Sequence, residues 1–138
     1  TNNLLSLFYI YTLKIRGNDE GLNAEEFAKK LEYRTRQFGI SIIKLSSALP
    51  NSVEAKVIKN QIAKSGTSIG ANYREANRSR SKRDFKNKIK ISESEASETE
   101  YWLEIINDLN WIEDEKLNPI MKEAKELLAL FTSISNKL

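Results

Sequence analysis

From position 24 onward, apolar residues return every three or four positions. Phe27, Leu31, Phe38, Ile42, Leu45 and Leu49 make one such series, the spacing of a helix that buries a single stripe. Asn23 stands before it with Glu26 three residues on, a capping-box start, and Pro50-Asn51 closes it. Ser52 opens a second helix, with Val53, Val57, Ile58, Ile62, Ile69 and Tyr73 predicted on its inner face. That helix should run to about Asn77, where Asn-Arg-Ser-Arg-Ser breaks the pattern. Ser81 with Asp84 caps a third, whose stripe is Phe85, Ile89, Ser92, Ala96, Thr99, Leu103 and Ile106, bulky at both ends and small in the middle. A last turn is expected around 110–115. Asn118 then caps a fourth helix with Pro119 in its first position, followed by Ile120, Ala124, Leu127, Leu128, Phe131 and Ile134. Connections this short place successive helices antiparallel. The prediction is an all-α, antiparallel up-and-down four-helix bundle over residues 23–138.

Residues 1–22 do not join this rhythm. The run 4–13 is apolar, but ten residues fall short of the ~20 that a membrane-spanning helix needs. No basic stretch precedes it and no small-residue cleavage site follows, so a signal peptide is not expected. The segment does not begin with Met. It is expected to be a poorly packed extension, native or carried over from upstream sequence, or else an arm that docks on a neighbouring subunit.

Composition narrows the chemistry. The 138 residues include no Cys and no His. Disulfides, thiolate nucleophiles and Cys-rich zinc sites are thereby excluded, as are the commonest general base and the commonest metal ligand. A protein without enzymatic activity, cofactor or metal is expected, in a reducing compartment such as the cytoplasm. The net charge is only +3, yet it is divided. Positions 56–90 hold eleven Lys/Arg against two acids, whereas positions 91–126 hold three Lys against eleven acids. One small molecule thus carries a positive and a negative zone, able to meet an anionic polymer or each other.

Three segments carry most of the information. In SGTSIGANYREA (65–76), Gly66 and Gly70 stand four apart within a helical pattern, although each costs roughly 1 kcal/mol relative to Ala. Close packing is the expected compensation, with the small middle of the third helix lying against this stretch. A phosphate-binding glycine loop is disfavoured, since no strand precedes the segment and no Gly-Lys-Ser/Thr follows. Around the second loop, Arg74, Arg78, Arg80, Lys82, Arg83, Lys86 and Lys90, with Lys88 among them, form a basic cluster suited to phosphates. A solvated face, or one paired with acids of a neighbour, is the alternative. Tyr101 and Trp102 sit among Leu103, Ile105 and Ile106, where core or subunit contact is expected rather than base stacking.

RTRQFGISIIKL (34–45), SGTSIGANYREA (65–76), SKRDFKNKI (81–89) and EASETEYWLE (95–104) occur in this order and at this spacing. Together they resemble the bacterial four-helix-bundle proteins related to open reading frames in 23S ribosomal RNA intervening sequences. The resemblance implies a protomer that assembles as a ring, most readily a homopentamer, and it does not imply a catalytic activity. A similar protein, the accessory variability determinant of diversity-generating retroelements, forms such a ring and works with a reverse transcriptase and nucleic acid. The expected function is therefore an oligomeric, RNA-associated scaffold. The alternative is an oligomeric protein–protein adaptor, such as an accessory subunit of a reverse transcriptase. DNA remains a second candidate ligand, and no membrane association is expected.

Overall fold

The structure, a computed structural model, describes residues 23–138. These form four helices: α1 (Ala24–Ser47), α2 (Val53–Asn77), α3 (Lys82–Asp108) and α4 (Asp114–Lys137). The expectations for 1–22 lie outside the described residues. Three starts are capped as their sequences demand. Asn23 Oδ1 accepts from the Glu26 N–H at 2.9 Å while its amide donates to Glu26 Oε1 at 2.8 Å, a closed capping box. Ser52 Oγ accepts from the Ala55 N–H, and Ser81 Oγ from the Asp84 N–H, each at 3.1 Å. Caps of this kind contribute ~1 kcal/mol apiece.

The apolar stripes of α1 and α3 are buried as their spacing predicts, down to the hydroxyls of Ser92 and Thr99. The inner face of α2 is corrected. Val53 and Val57 are 77% and 55% exposed, and Ala55 is buried instead. Ile62 and Ile69, seven apart, fix the phase of this helix, and seven residues before Ile62 is Ala55.

The turn into α4 is corrected too. Helix α3 ends at Asp108, and Asn110 takes a left-handed conformation with φ 55°. The Asn110 N–H donates to Asn107 O at 3.1 Å and the Trp111 N–H to Ile106 O at 3.4 Å. This is a Schellman stop, with Asn in place of the usual Gly. Helix α4 then starts at Asp114, so Pro119 lies inside it, one turn later than predicted. A proline there loses one backbone bond and crowds the carbonyl four residues back, a penalty of ~3 kcal/mol in a helix interior. Leu117, fully buried in the extra turn, returns ~1.5–3 kcal/mol, and Asp114 and Glu115 favour the positive end of the dipole.

The glycines hold the clearest correction. Expectation placed them against the third helix; they face α1. A Cβ on Gly66 would lie 2.7–2.9 Å from the Ile42 side chain, and one on Gly70 would lie 2.9 Å from Thr35 Oγ1. Ser65, the neighbouring residue, points toward α3 and is hydrogen-bonded to Thr99 Oγ1 at 2.9 Å. Ser92 Oγ also donates to Ile69 O across the same boundary, at 2.9 Å. The small segment thus works on two sides, glycines for α1 and a serine and a carbonyl for α3. In both pairings the residue numbers rise on one helix as they fall on the other, so α1 and α2 run antiparallel, as do α2 and α3. Between α1 and α4, Arg34 grips Glu123 with Nε at 2.7 Å and Nη2 at 2.6 Å, and reaches Glu126 at 3.2 Å. The Glu123 bond and the two carboxylate charges raise the Arg34 pKa despite partial burial, which keeps the guanidinium charged.

Candidate nucleic-acid interface

The four residues between α2 and α3 are Arg78, Ser79, Arg80 and Ser81. Their backbone is fastened locally. The N–H groups of Arg78 and Ser79 donate to Glu75 O and Ala76 O at 3.0 Å, and Ser79 Oγ donates to Glu75 O at 3.3 Å. Ser81 caps α3, and the two arginines of the turn are exposed. Lys82 and Arg83 follow on the exposed first turn of α3, and Lys86 is half-buried one turn further. Arg78, Arg80, Lys82, Arg83 and Lys86 therefore form the compact part of the predicted cluster.

The other members separate from it. Lys88 donates to Glu75 Oε2 at 2.8 Å, so its charge is matched within the protein. Lys82, Lys86 and Lys90 advance ~40° around the helix with each step of four residues, which turns Lys90 away from the loop. It lies beside Glu93, Glu98 and Tyr101 in a shallow groove shared with Leu128 and Thr132 of α4. Arg74 sits on the side of α2 that faces α1 and lines the groove between those helices together with Arg36. Among the described residues, none of Arg74, Arg78, Arg80, Lys82, Arg83, Lys86 and Lys90 has a carboxylate within salt-bridge distance.

Sequence spacing missed Arg36. It is 38 positions from Arg74, and only the antiparallel pairing of α1 with α2 brings the two to one groove. Its guanidinium lies over the Tyr33 ring, 5.6 Å from the centroid. Tyr101 and Trp102 stack edge-to-face at 5.1 Å, and Trp102 Nε1 donates to Glu98 at 3.2 Å. Trp102 packs against the core and Tyr101 is exposed, so the pair does not form a platform facing the basic loop.

No helix among the described residues is long and apolar enough to cross a membrane. Among the same residues, no three of Asp, Glu, His or Cys are placed to hold a metal ion together.

Comparison with known proteins supplies the context. The sequence model of the family described as 23S rRNA-intervening sequence protein matches residues 26–133. A crystal structure from Bacteroides thetaiotaomicron, of a protein with unknown function from the S23 ribosomal protein family, superposes with a TM-score of 0.71 at 38% identity. The match covers 79% of this chain and 97% of that one. No curated protein sequence matches significantly.

Proposed function

Because the chain belongs to the 23S rRNA-intervening sequence protein family, we propose that it is a non-enzymatic, RNA-associated scaffold that acts as an oligomer. The observation that carries this reading is the basic surface around the α2–α3 turn. Four arginines and lysines within six residues are exposed there with no carboxylate among the described residues within salt-bridge distance, and Lys86 extends them. Arginine forks and lysine point charges meet phosphates without reading sequence, so affinity would come mainly from counterion release. Nothing at this surface is shaped to select a base. A ring, with five subunits favoured by the family resemblance, would repeat the surface once per subunit and make binding multivalent. A cytoplasmic setting accords with a chain free of cysteine.

The test compares two double charge reversals that alter net charge equally. Arg80→Glu with Lys82→Glu should weaken binding to a single-stranded RNA across unrelated sequences. It should also reduce the slope of log affinity against log salt, by about 0.7 for each phosphate that is no longer neutralised. Lys44→Glu with Lys56→Glu, at the opposite end of α1 and α2, should change both quantities far less. Equal losses in the two variants would reduce the effect to overall charge. Wild-type binding that is weak and insensitive to salt would favour the adaptor reading instead.

A further inference from the structure

Helix α3 carries a second series of regularly spaced residues besides the stripe it buries. Ile91, Ser94, Glu98, Tyr101 and Ile105 follow one another at intervals of three and four, on the side turned away from the core. Ile91, Ser94, Glu98 and Tyr101 are exposed, and Ile105 is half-buried. The ridge has isoleucines at its ends, a serine and a tyrosine within and one carboxylate at its centre. Its spacing is that of a helix face that lies in a groove.

The bundle also presents a groove. Between α1 and α2 runs a channel of about 280 Å³, lined by Gly39, Ile40, Ile43 and Ala71, with Arg36 and Arg74 toward one end. Gly39 and Gly70 bring the two backbones close and leave the floor low, while Ile40 and Ile43 stand exposed along the edge. Neither arginine has a carboxylate within salt-bridge distance among the described residues. Glu32 also borders the channel, its carboxylate accepting a hydrogen bond from Asn77 Nδ2 at 3.0 Å, and it offsets part of the arginines' charge.

We infer that this groove receives the outer ridge of α3 from a second copy of the chain, with the partner's Glu98 set against Arg36 and Arg74. The charges favour this occupant over an unrelated apolar helix. The groove holds Arg36 and Arg74 against the single carboxylate of Glu32, whereas Glu98 on the ridge accepts a hydrogen bond from Trp102 Nε1 at 3.2 Å but has no cation within salt-bridge distance among the described residues, so the net charges are opposite in sign. Glu95, beside Glu98 and half-buried, has its pKa raised by desolvation and by the Glu98 charge, with Lys64 acting the other way. Cations arriving from the groove would relieve that like-charge pair. Groove and ridge are different patches of one surface, so the contact is head-to-tail, and such contacts close into rings when the rotation permits. The inference rests on the oligomeric part of the proposed function and on no part of its RNA reading.

Sedimentation equilibrium of the full chain at micromolar concentration tests it. Wild type should have a mass of two or more 15.8 kDa chains. Arg36→Glu and Glu98→Arg should each raise the dissociation constant by at least about tenfold while the helical circular dichroism is unchanged. Both substitutions in one chain should return the constant toward the wild-type value, because the reversed charges attract again. Single variants that assemble like wild type overturn the inference, as does a folded double variant that stays dissociated. A wild-type mass of one chain overturns it whatever RNA affinity that monomer has, so the assembly and RNA readings fail separately.

Discussion

At Gly66 the difference between glycine and alanine is one methyl group directed at Ile42. That methyl would lie 2.7–2.9 Å from three atoms of a fully buried side chain, two of them next to its branch point, so little can swing aside. Helix propensity alone favours alanine by up to ~1 kcal/mol, whereas overpacking costs ~1–3 kcal/mol. Gly66→Ala should therefore lower the melting temperature. Gly39 reverses the sign, because its added methyl would make ordinary contact with Thr67 at 3.6–3.7 Å. Gly39→Ala should raise the melting temperature, and thermal denaturation of the two variants side by side checks both. The sequence announced that the glycines mark a close approach. It could not say to which helix, because Ser65, Gly66 and Ile69 are neighbours in the chain yet divide between two helices.

Helix starts were legible wherever a side chain caps them, at Asn23, Ser52 and Ser81. The start of α4 was not, because Glu113 occupies the capping position without a side-chain hydrogen bond. Asn118-Pro119 offered a more conventional beginning, but the burial of Leu117 carries the helix past it. Such a proline is tolerated rather than used. Pro119→Ala restores a donor facing Glu115 O and removes the ring's crowding, so it should raise stability by about 1–3 kcal/mol. Urea denaturation would read this as a higher midpoint at an unchanged slope. An unchanged or lower midpoint would mean that proline stiffens the unfolded chain by as much as it disturbs the helix.

Across the whole molecule, antiparallel order turns two stretches of sequence into two ends. The α2–α3 turn brings its arginines to one end, and the α3–α4 turn brings Asp108, Glu113, Asp114 and Glu115 to the other. That division was legible as a charge tally, since the helices that hold it are adjacent in the chain. The contact between the first and last helices was not. Arg34 and Glu123 lie 89 positions apart, and no local pattern pairs them. The groove shared by Arg36 and Arg74 escaped for the same reason.

The hydroxyls of Ser65, Ser92 and Thr99 sit where the two central helices come together, with Ile69 O completing the set. Bulky side chains, Phe85 and Ile89 on one side and Leu103 and Ile106 on the other, lie beyond them along α3. The bundle is therefore narrow at its middle and padded at its ends, and its slowest motions should follow that shape. Separating α2 from α3 at the narrow part would break the Ser92–Ile69 and Thr99–Ser65 hydrogen bonds together, each contributing about 0.5–1.5 kcal/mol net. The ends can loosen through apolar contacts that yield one at a time. Amide hydrogen exchange should accordingly be slowest at residues 65–69 and 92–99, approaching the rate set by global unfolding, and faster toward both turns. Uniform protection along α3 would mean that the bundle opens only as a whole.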